Sequence, residues 1–251
     1  MKKIVSIIFA MPYMNEAPET LPAATEAVSD EDPEAALHQQ NQAEPEPLPT
    51  IEPVIEPEAN PYGRLDFQYD RNNYLYALKT DSYAGIDVSA YQKEIDWEKV
   101  KAAGIDYAII RCGYGRNYTS QDDEYFEYNA SECERLGIPY GVYIYSYAKN
   151  VDSAKSEAEH VLRLIDGHTL SYPVYYDMED ASTIGYDLAA IAKTFCTTIE
   201  AAGYPVGVYA NLNWWNNYLT DPCFDQWHRW VAQYNTSCQY TGEYAMWQYT
   251  S

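Results

Sequence analysis

The segment Tyr175-Tyr176-Asp177-Met178-Glu179-Asp180 sets two carboxylates one residue apart at the end of a short apolar run. Side chains alternate along an extended strand, so Asp177 and Glu179 point the same way with α-carbons about 6.6 Å apart, and Met178 and Asp180 point to the other side. Like charges this close raise one another's proton affinity. A general acid near neutral pH needs that effect, because one group must keep its proton while its neighbour stays ionised. The same spacing also suits a solvated acidic loop. Asp87 favours chemistry. It lies in the apolar run Gly85-Ile86-Asp87-Val88-Ser89, where a charge needs a partner or a chemical task, or else caps a turn. Arg111, in Ala108-Ile109-Ile110-Arg111-Cys112, is the matching cation. It orients an acidic site, binds substrate, or serves as a structural ion-pair partner.

Aromatic residues gather at comparable positions. The chain has 27 Tyr and 6 Trp, amphipathic rings that suit both core packing and the faces of sugars. Tyr143, Tyr145 and Tyr147 share one face of a strand, Tyr209-Ala210-Asn211 closes another, and Trp247-Gln248-Tyr249 forms the last. Together with acids at the same strand ends, Tyr145, Tyr209 and Trp247 point to a carbohydrate groove. The histidines His38, His160, His168 and His228 have no recognisable Ser or Cys partner, so a nucleophilic Ser/His or Cys/His mechanism finds no support. The cysteines Cys112, Cys133, Cys196, Cys223 and Cys238 contain no C-x-x-C pair, and neither a structural zinc nor any cofactor is expected. Cys112 and Cys196 sit in apolar runs and read as small buried hydrophobes.

The elements that must position these residues are short apolar runs alternating with longer amphipathic ones. Strands are expected at residues 84–88, 107–112, 140–147, 173–177, 205–209, 230–234 and 244–249, and helices at 97–103, 122–136, 153–164 and 188–202. Gly104, Gly137 and Gly203 follow three of the helices, where a left-handed residue closes the last turn. Strand and helix in repeated alternation predict a parallel sheet with right-handed crossovers. About eight strands close most naturally into a barrel, whose site lies at the C-terminal strand ends. The shorter later connections make that barrel irregular. An open doubly wound sheet is the second option, although no Gly-rich phosphate loop follows any strand.

The 251 residues carry 16 Lys+Arg against 38 Asp+Glu, a net charge of −22. No basic face is available to displace counterions from a phosphate backbone, so nucleic acid is not an expected partner. Residues 1–14 have a basic head, Met1-Lys2-Lys3, and a short apolar stretch, and read as a candidate secretory signal. That stretch is too short to span a bilayer, and no integral membrane domain is expected. Residues 15–60 are dominated by Glu, Pro and Ala, as in Glu44-Pro45-Glu46-Pro47, and are expected to be a disordered acidic linker. Residues 61–82 form an aromatic and polar lead-in, and residues 83–251 the working domain.

Six motifs occur in order within that domain: Gly85-Ile-Asp-Val-Ser-Ala-Tyr-Gln92 with Ile95-Asp96-Trp97, Ala108-Ile-Ile-Arg111, Gly141-Val-Tyr-Ile-Tyr145, Tyr176-Asp-Met-Glu179, Gly207-Val-Tyr-Ala-Asn211 and Trp247-Gln-Tyr-Thr-Ser251. The series resembles the glycoside hydrolase family 25 lysozymes, the Chalaropsis-type N-acetylmuramidases. The resemblance implies an α/β fold, an irregular TIM-like β/α barrel. It also implies metal-free cleavage of the β-1,4 bond from N-acetylmuramic acid to N-acetylglucosamine in peptidoglycan. Carried over by position, Glu179 is similar to the family's proton donor. Asp177 resembles its second carboxylate, which stabilises the transition state or orients the N-acetyl group, and Asp87 resembles a supporting groove acid. Arg111, Tyr145 and Tyr209 resemble sugar-contacting positions. The family pattern continues with a further strand carrying another groove acid, whereas this sequence ends at Ser251, so the expected barrel lacks its last strand. The implied setting is extracellular or at the cell surface, with the chain a monomer acting on glycan strands. A non-catalytic wall-binding module on the same barrel is the alternative.

Overall fold

The computed structural model describes residues 6–10, 67–69, 75–77 and 83–250. The expected linker at residues 15–60 lies outside the described residues. Within the lead-in, β2 (Phe67–Tyr69) and β3 (Leu75–Ala77) pair antiparallel as a two-stranded sheet.

The working domain follows the expected alternation. The strands β4 (Tyr83–Val88), β5 (Tyr107–Tyr114), β6 (Tyr140–Tyr145), β7 (Val174–Asp177), β8 (Val206–Asn211), β9 (His228–Ala232) and β10 (Met246–Gln248) are parallel neighbours in chain order. The helices are α1 (Trp97–Ala102), α2 (Phe126–Leu136), α3 (Val151–Leu164), α4 (Leu188–Ala201) and α5 (Leu212–Asn217). Asp96, Asn150, Asp187 and Asn211 start four of them by accepting a backbone N–H that the first turn leaves unpaired. Gly137 ends α2 at φ 64°, a left-handed conformation that a side chain would strain. Past β8 the long crossovers stop. The short α5 leads to β9, and residues 233–245 reach β10 without a helix.

Seven parallel strands therefore curl into an incomplete TIM-like barrel. The gap between the edge strands β10 and β4 is spanned by β1 (Ser6–Ala10), antiparallel to both, with Ile8 opposite Gln248 on one side and Gly85 on the other. The expectation of a barrel without its last strand thus holds for the parallel strands. The edges are nevertheless covered, because five residues from the segment that reads as a secretory signal pair with them as a strand. Among the described residues no helix is long and apolar enough to cross a membrane.

Side-chain alternation separates two cores. Ile86, Val88, Ala108, Ile110, Val142, Ile144, Val174, Tyr176, Val206 and Val208 face outward under the helices. Tyr107, Ile109, Tyr175, Trp230 and Met246 fill the barrel, with Tyr143 and Tyr209 above them. Large rings here require absent ones opposite. A Cβ on Gly85 would collide with the Tyr107 ring, and one on Gly207 with the Tyr175 ring. This floor of tyrosine and glycine plugs the barrel and leaves its upper mouth as the place for polar groups.

Unpaired edges on β4 and β10 would invite association with other chains. Deleting residues 1–14 is expected to lower the melting temperature by roughly 5 °C or more, and to shift the protein toward larger species on size exclusion. An unchanged melting curve and elution volume would mean that the seven parallel strands suffice.

Candidate active site

The strand ends of β4, β5, β6, β7 and β8 converge on one acidic cluster. Asp87 and Asp177 project inward from β4 and β7, and Glu179 follows two residues after Asp177. Asp177 is buried at 4% exposure, whereas Glu179 remains partly exposed. Met178 between them is buried in the outer core, so the expected alternation of faces continues past the strand end. Asp180, expected to point away with Met178, instead joins the cluster's surroundings, because the extended strand ends at Asp177. It caps the turn at Ala181–Thr183, accepts a hydrogen bond from the Tyr145 hydroxyl at 3.2 Å and adds its charge to those acting on Asp177.

Each acid meets a different environment. Burial, then the charges of Glu179 and Asp87, push the Asp177 carboxyl well above the usual carboxylate range, and Arg111 partly opposes them. Asp177 Oδ1 is buried without a hydrogen-bond partner among the described residues. Glu179 is also raised by burial, but it is held back by two N–H donors on one oxygen. Asn211 reaches Oε2 with its backbone N–H at 3.0 Å and with Nδ2 at 2.8 Å. Asp87 accepts from Gln248 Nε2 at 3.1 Å. Burial thus raises both carboxyls, with like charge adding to the push on Asp177 and the Asn211 donors opposing it on Glu179.

Arg111 sits beside this set rather than in it. Its Nε donates to Asp123 Oδ2 at 2.7 Å, and its guanidinium lies 5.0 Å from the centre of the Tyr91 ring. Asp123 is itself buried, and it also accepts the Ala90 and Tyr125 backbone N–H groups. Arg111 is thus locked to a carboxylate and acts on the cluster by its charge. Its Nε is engaged in an ion pair, one of the roles its sequence position allowed.

Tyrosines wall the mouth. Tyr145 packs 5.0 Å from Tyr147, which meets the Tyr114 ring edge-on at 6.5 Å. Tyr209 lies against Trp230, and the acids Glu179, Asp177 and Asp87 all act on its hydroxyl. Tyr234, exposed beyond β9, is under the influence of the same three acids. One expected site residue is elsewhere. Trp247 is 1% exposed in the outer core, donates Nε1–H to the Gln233 carbonyl and packs against Tyr249. Its strand neighbour Gln248 faces the acids instead, a reversal that follows from the two-residue period of β10.

Sequence reasoning placed Asp87, Asp177, Glu179, Arg111, Tyr145 and Tyr209 together, and the structure brings all six to one end of the barrel. It missed Asn211, Gln248 and Asp123. Two of these stand in the motifs Gly207-Val-Tyr-Ala-Asn211 and Trp247-Gln-Tyr-Thr-Ser251, but nothing local distinguishes an amide that holds a carboxylate from one that caps a turn.

An acidic cluster under tyrosine walls at the C-terminal mouth marks the molecule as a β/α barrel with its candidate site where that class of fold carries one. Comparison narrows the class. Residues 86–251 match the model for glycosyl hydrolases family 25, and the chain belongs to that family. Lysozyme M1 of Streptomyces globisporus is 25% identical over 194 residues, covering 68% of this chain and 63% of that protein. The autolytic lysozyme of Clostridium acetobutylicum is 28% identical over 156 residues, covering 61% of this chain and 45% of that protein. The modular autolysin LytC from Streptococcus pneumoniae superposes with a TM-score of 0.63 at 30% identity, over 74% of this chain and 46% of that chain. The chain therefore spans about half to two-thirds of the length of these relatives.

The buried carboxyl at Asp177 carries a cost to the fold that can be measured. A carboxyl that binds its proton more tightly in the folded state weakens the fold once pH exceeds its unfolded value, 3.8, and increasingly so up to its folded value. Asp177→Asn removes that burden. The variant is expected to be more stable than the parent at pH 7, by on the order of 1 kcal/mol. The gain should vanish below pH 3.8, where the carboxyl is protonated in both states. Urea unfolding at the two pH values reads the difference, and an equal effect at both would mean that packing rather than charge is responsible.

Proposed function

We propose that this chain is a muramidase that hydrolyses the β-1,4 bond between N-acetylmuramic acid and N-acetylglucosamine in bacterial peptidoglycan. The observation that carries the reading is Glu179. It is a partly exposed carboxyl at the barrel mouth, raised by burial, fixed by Asn211 and set beside two further acids. Family membership and the lysozyme and autolysin relatives support the same substrate.

Reach separates the roles of the two carboxyls. Asp177 is buried beneath the mouth, whereas Glu179 is open to a leaving oxygen, so Glu179 delivers the proton to the glycosidic oxygen as the bond to the anomeric carbon breaks. Positive charge then develops on the sugar above Asp177 and Asp87, which stabilise it as carboxylates. For Asp177 to serve in that form, its proton affinity must fall when substrate is present. A sugar N-acetyl N–H donating to the unpartnered Oδ1 has that effect, and it leaves the shared proton to Glu179. Tyr145 and Tyr209 offer ring surface to the sugars, and Arg111 moderates the acidic field.

The reading places the chain outside the cytoplasm or at the cell surface, acting on glycan strands as a monomer, since one chain supplies every named site residue. The net charge of −22 argues against nucleic acid as a partner.

Purified peptidoglycan incubated with the full chain, with Glu179→Gln in parallel, tests the reading. New reducing ends on muramic acid are expected, falling by about 10² or more in the variant. Reducing ends on glucosamine would assign the cleavage to the other bond. Binding with no new ends would identify a wall-binding module.

A further inference from the structure

We infer that Asn211 is a positioning residue that dictates which oxygen of Glu179 carries the acid proton. Asn211 is the last residue of β8 and also the residue before α5, with extended backbone angles of φ −73° and ψ 163°. Its Oδ1 accepts the Trp214 backbone N–H at 3.2 Å and so caps that helix. The cap uses the carbonyl half of the amide, which turns the NH₂ half toward Glu179. Nδ2 then donates to Oε2 at 2.8 Å, and the Asn211 backbone N–H donates to the same oxygen at 3.0 Å.

Two N–H donors on Oε2 leave that oxygen an acceptor only. A hydroxyl hydrogen there would meet both N–H groups head-on, so a protonated Glu179 carries its proton on Oε1. Rotating the amide of Asn211 is no escape, because it would abandon the helix cap and set a carbonyl against a carboxylate. The orientation of the acid is thereby tied to the start of α5. The titratable groups around it are Asp177, two residues before it, Tyr145 from β6, Tyr209 from β8 and Tyr234 beyond β9, all of which feel the charge of Glu179. Asp87 from β4, Arg111 from β5 and Asp180 act on Asp177, whereas burial and the two Asn211 donors are what act on Glu179 itself. Among the described residues the Asn211 amide is the single side-chain donor to Oε2, and so the one that a substitution can remove.

A plain helix cap would be served equally by Ser or Asp, both of which supply the acceptor for the Trp214 N–H and lack the amide NH₂ arm that reaches Oε2, Asp having no donor at all and Ser a single shorter hydroxyl committed to the cap. Asn211→Ser and Asn211→Asp therefore separate the two roles. In the full chain, the carboxyl carbon of Glu179 is followed by ¹³C NMR against pH, assigned by its loss in Glu179→Gln. The Ser variant is expected to raise the Glu179 midpoint by about one pH unit, because a donor to the ionised form is gone. The Asp variant should raise it further, since it adds a like charge. Both should melt within a few degrees of the parent. With peptidoglycan as substrate, kcat should fall about ten-fold or more with KM changed by less than about three-fold, and the alkaline limb of the pH profile should move up with the NMR midpoint.

An unchanged Glu179 midpoint in both variants would overturn the inference and leave Asn211 as a cap alone. The inference rests on Glu179 being the acid of the proposed muramidase, yet the titration is read whether or not glycan is cut. Failure of the parent chain to cleave peptidoglycan would sink the functional reading, and a flat titration would sink this one.

Discussion

Three carboxyl groups brought to one barrel mouth repel each other, and most of the surrounding structure answers that repulsion. Arg111, the cation nearest the cluster in its effect, comes near enough to lower the proton affinity of Asp177, but its Nε is committed to Asp123. The acids receive neutral amide donors instead, Asn211 for Glu179 and Gln248 for Asp87. An amide fixes a carboxylate without quenching its charge, and the proposed reading, in which the acids meet a positively charged transition state, requires that charge to be preserved. A salt bridge in the same place would hold the acids in position and disarm them.

The floor of the barrel makes this concentration of polar groups tolerable. Tyr107 and Tyr175 spread into the space left open by Gly85 and Gly207, and Trp230 packs edge-on against Tyr143, Tyr175 and Tyr209. With the lower barrel filled by rings, Asp177 stands on an apolar plug. That accounts for its burial and for the upward push on its proton affinity. The same rings fix the height of the acids relative to the tyrosines above them, so packing below sets electrostatics above.

Much of this was legible in the chain. The seven parallel strands lie where short apolar runs alternate with amphipathic ones, and the D-x-E spacing located the two central acids because strand alternation is a local property. Other parts depend on partners distant along the chain. Gln248 and Asp87 are 161 residues apart, and no local pattern joins them. Trp247 was expected in the groove because aromatic residues suit sugars, yet a one-residue offset in β10 turns it outward and turns Gln248 inward. The helix α5, Leu212-Asn-Trp-Trp-Asn-Asn217, escaped notice because six residues show too little of a 3.6-residue period. Ser6–Ala10 read as part of a leader because a basic head precedes a short apolar stretch, and a short apolar run is equally suited to a strand.

Burial of an acid does not by itself mark function, and this molecule contains the comparison that shows why. Glu157 on α3 is fully buried, and its proton affinity is likewise raised by burial. It is nonetheless satisfied. Oε2 lies 2.6 Å from the Tyr176 hydroxyl and 2.8 Å from Ser146 Oγ, and Oε1 accepts the Tyr147 backbone N–H at 3.0 Å. Those bonds tie α3 to β7 and to the loop after β6, a structural task in which every acceptor is used. Asp177 is buried almost as deeply, but its Oδ1 has no protein donor among the described residues. A folded chain gains stability by closing such a gap, as it has around Glu157. At Asp177 the gap is left beneath the mouth of the barrel, two residues from a carboxyl that Asn211 holds by one oxygen. Between these two buried acids, then, the difference lies in the acceptor that the protein leaves unsatisfied at Asp177, the one that the proposed reading gives to substrate.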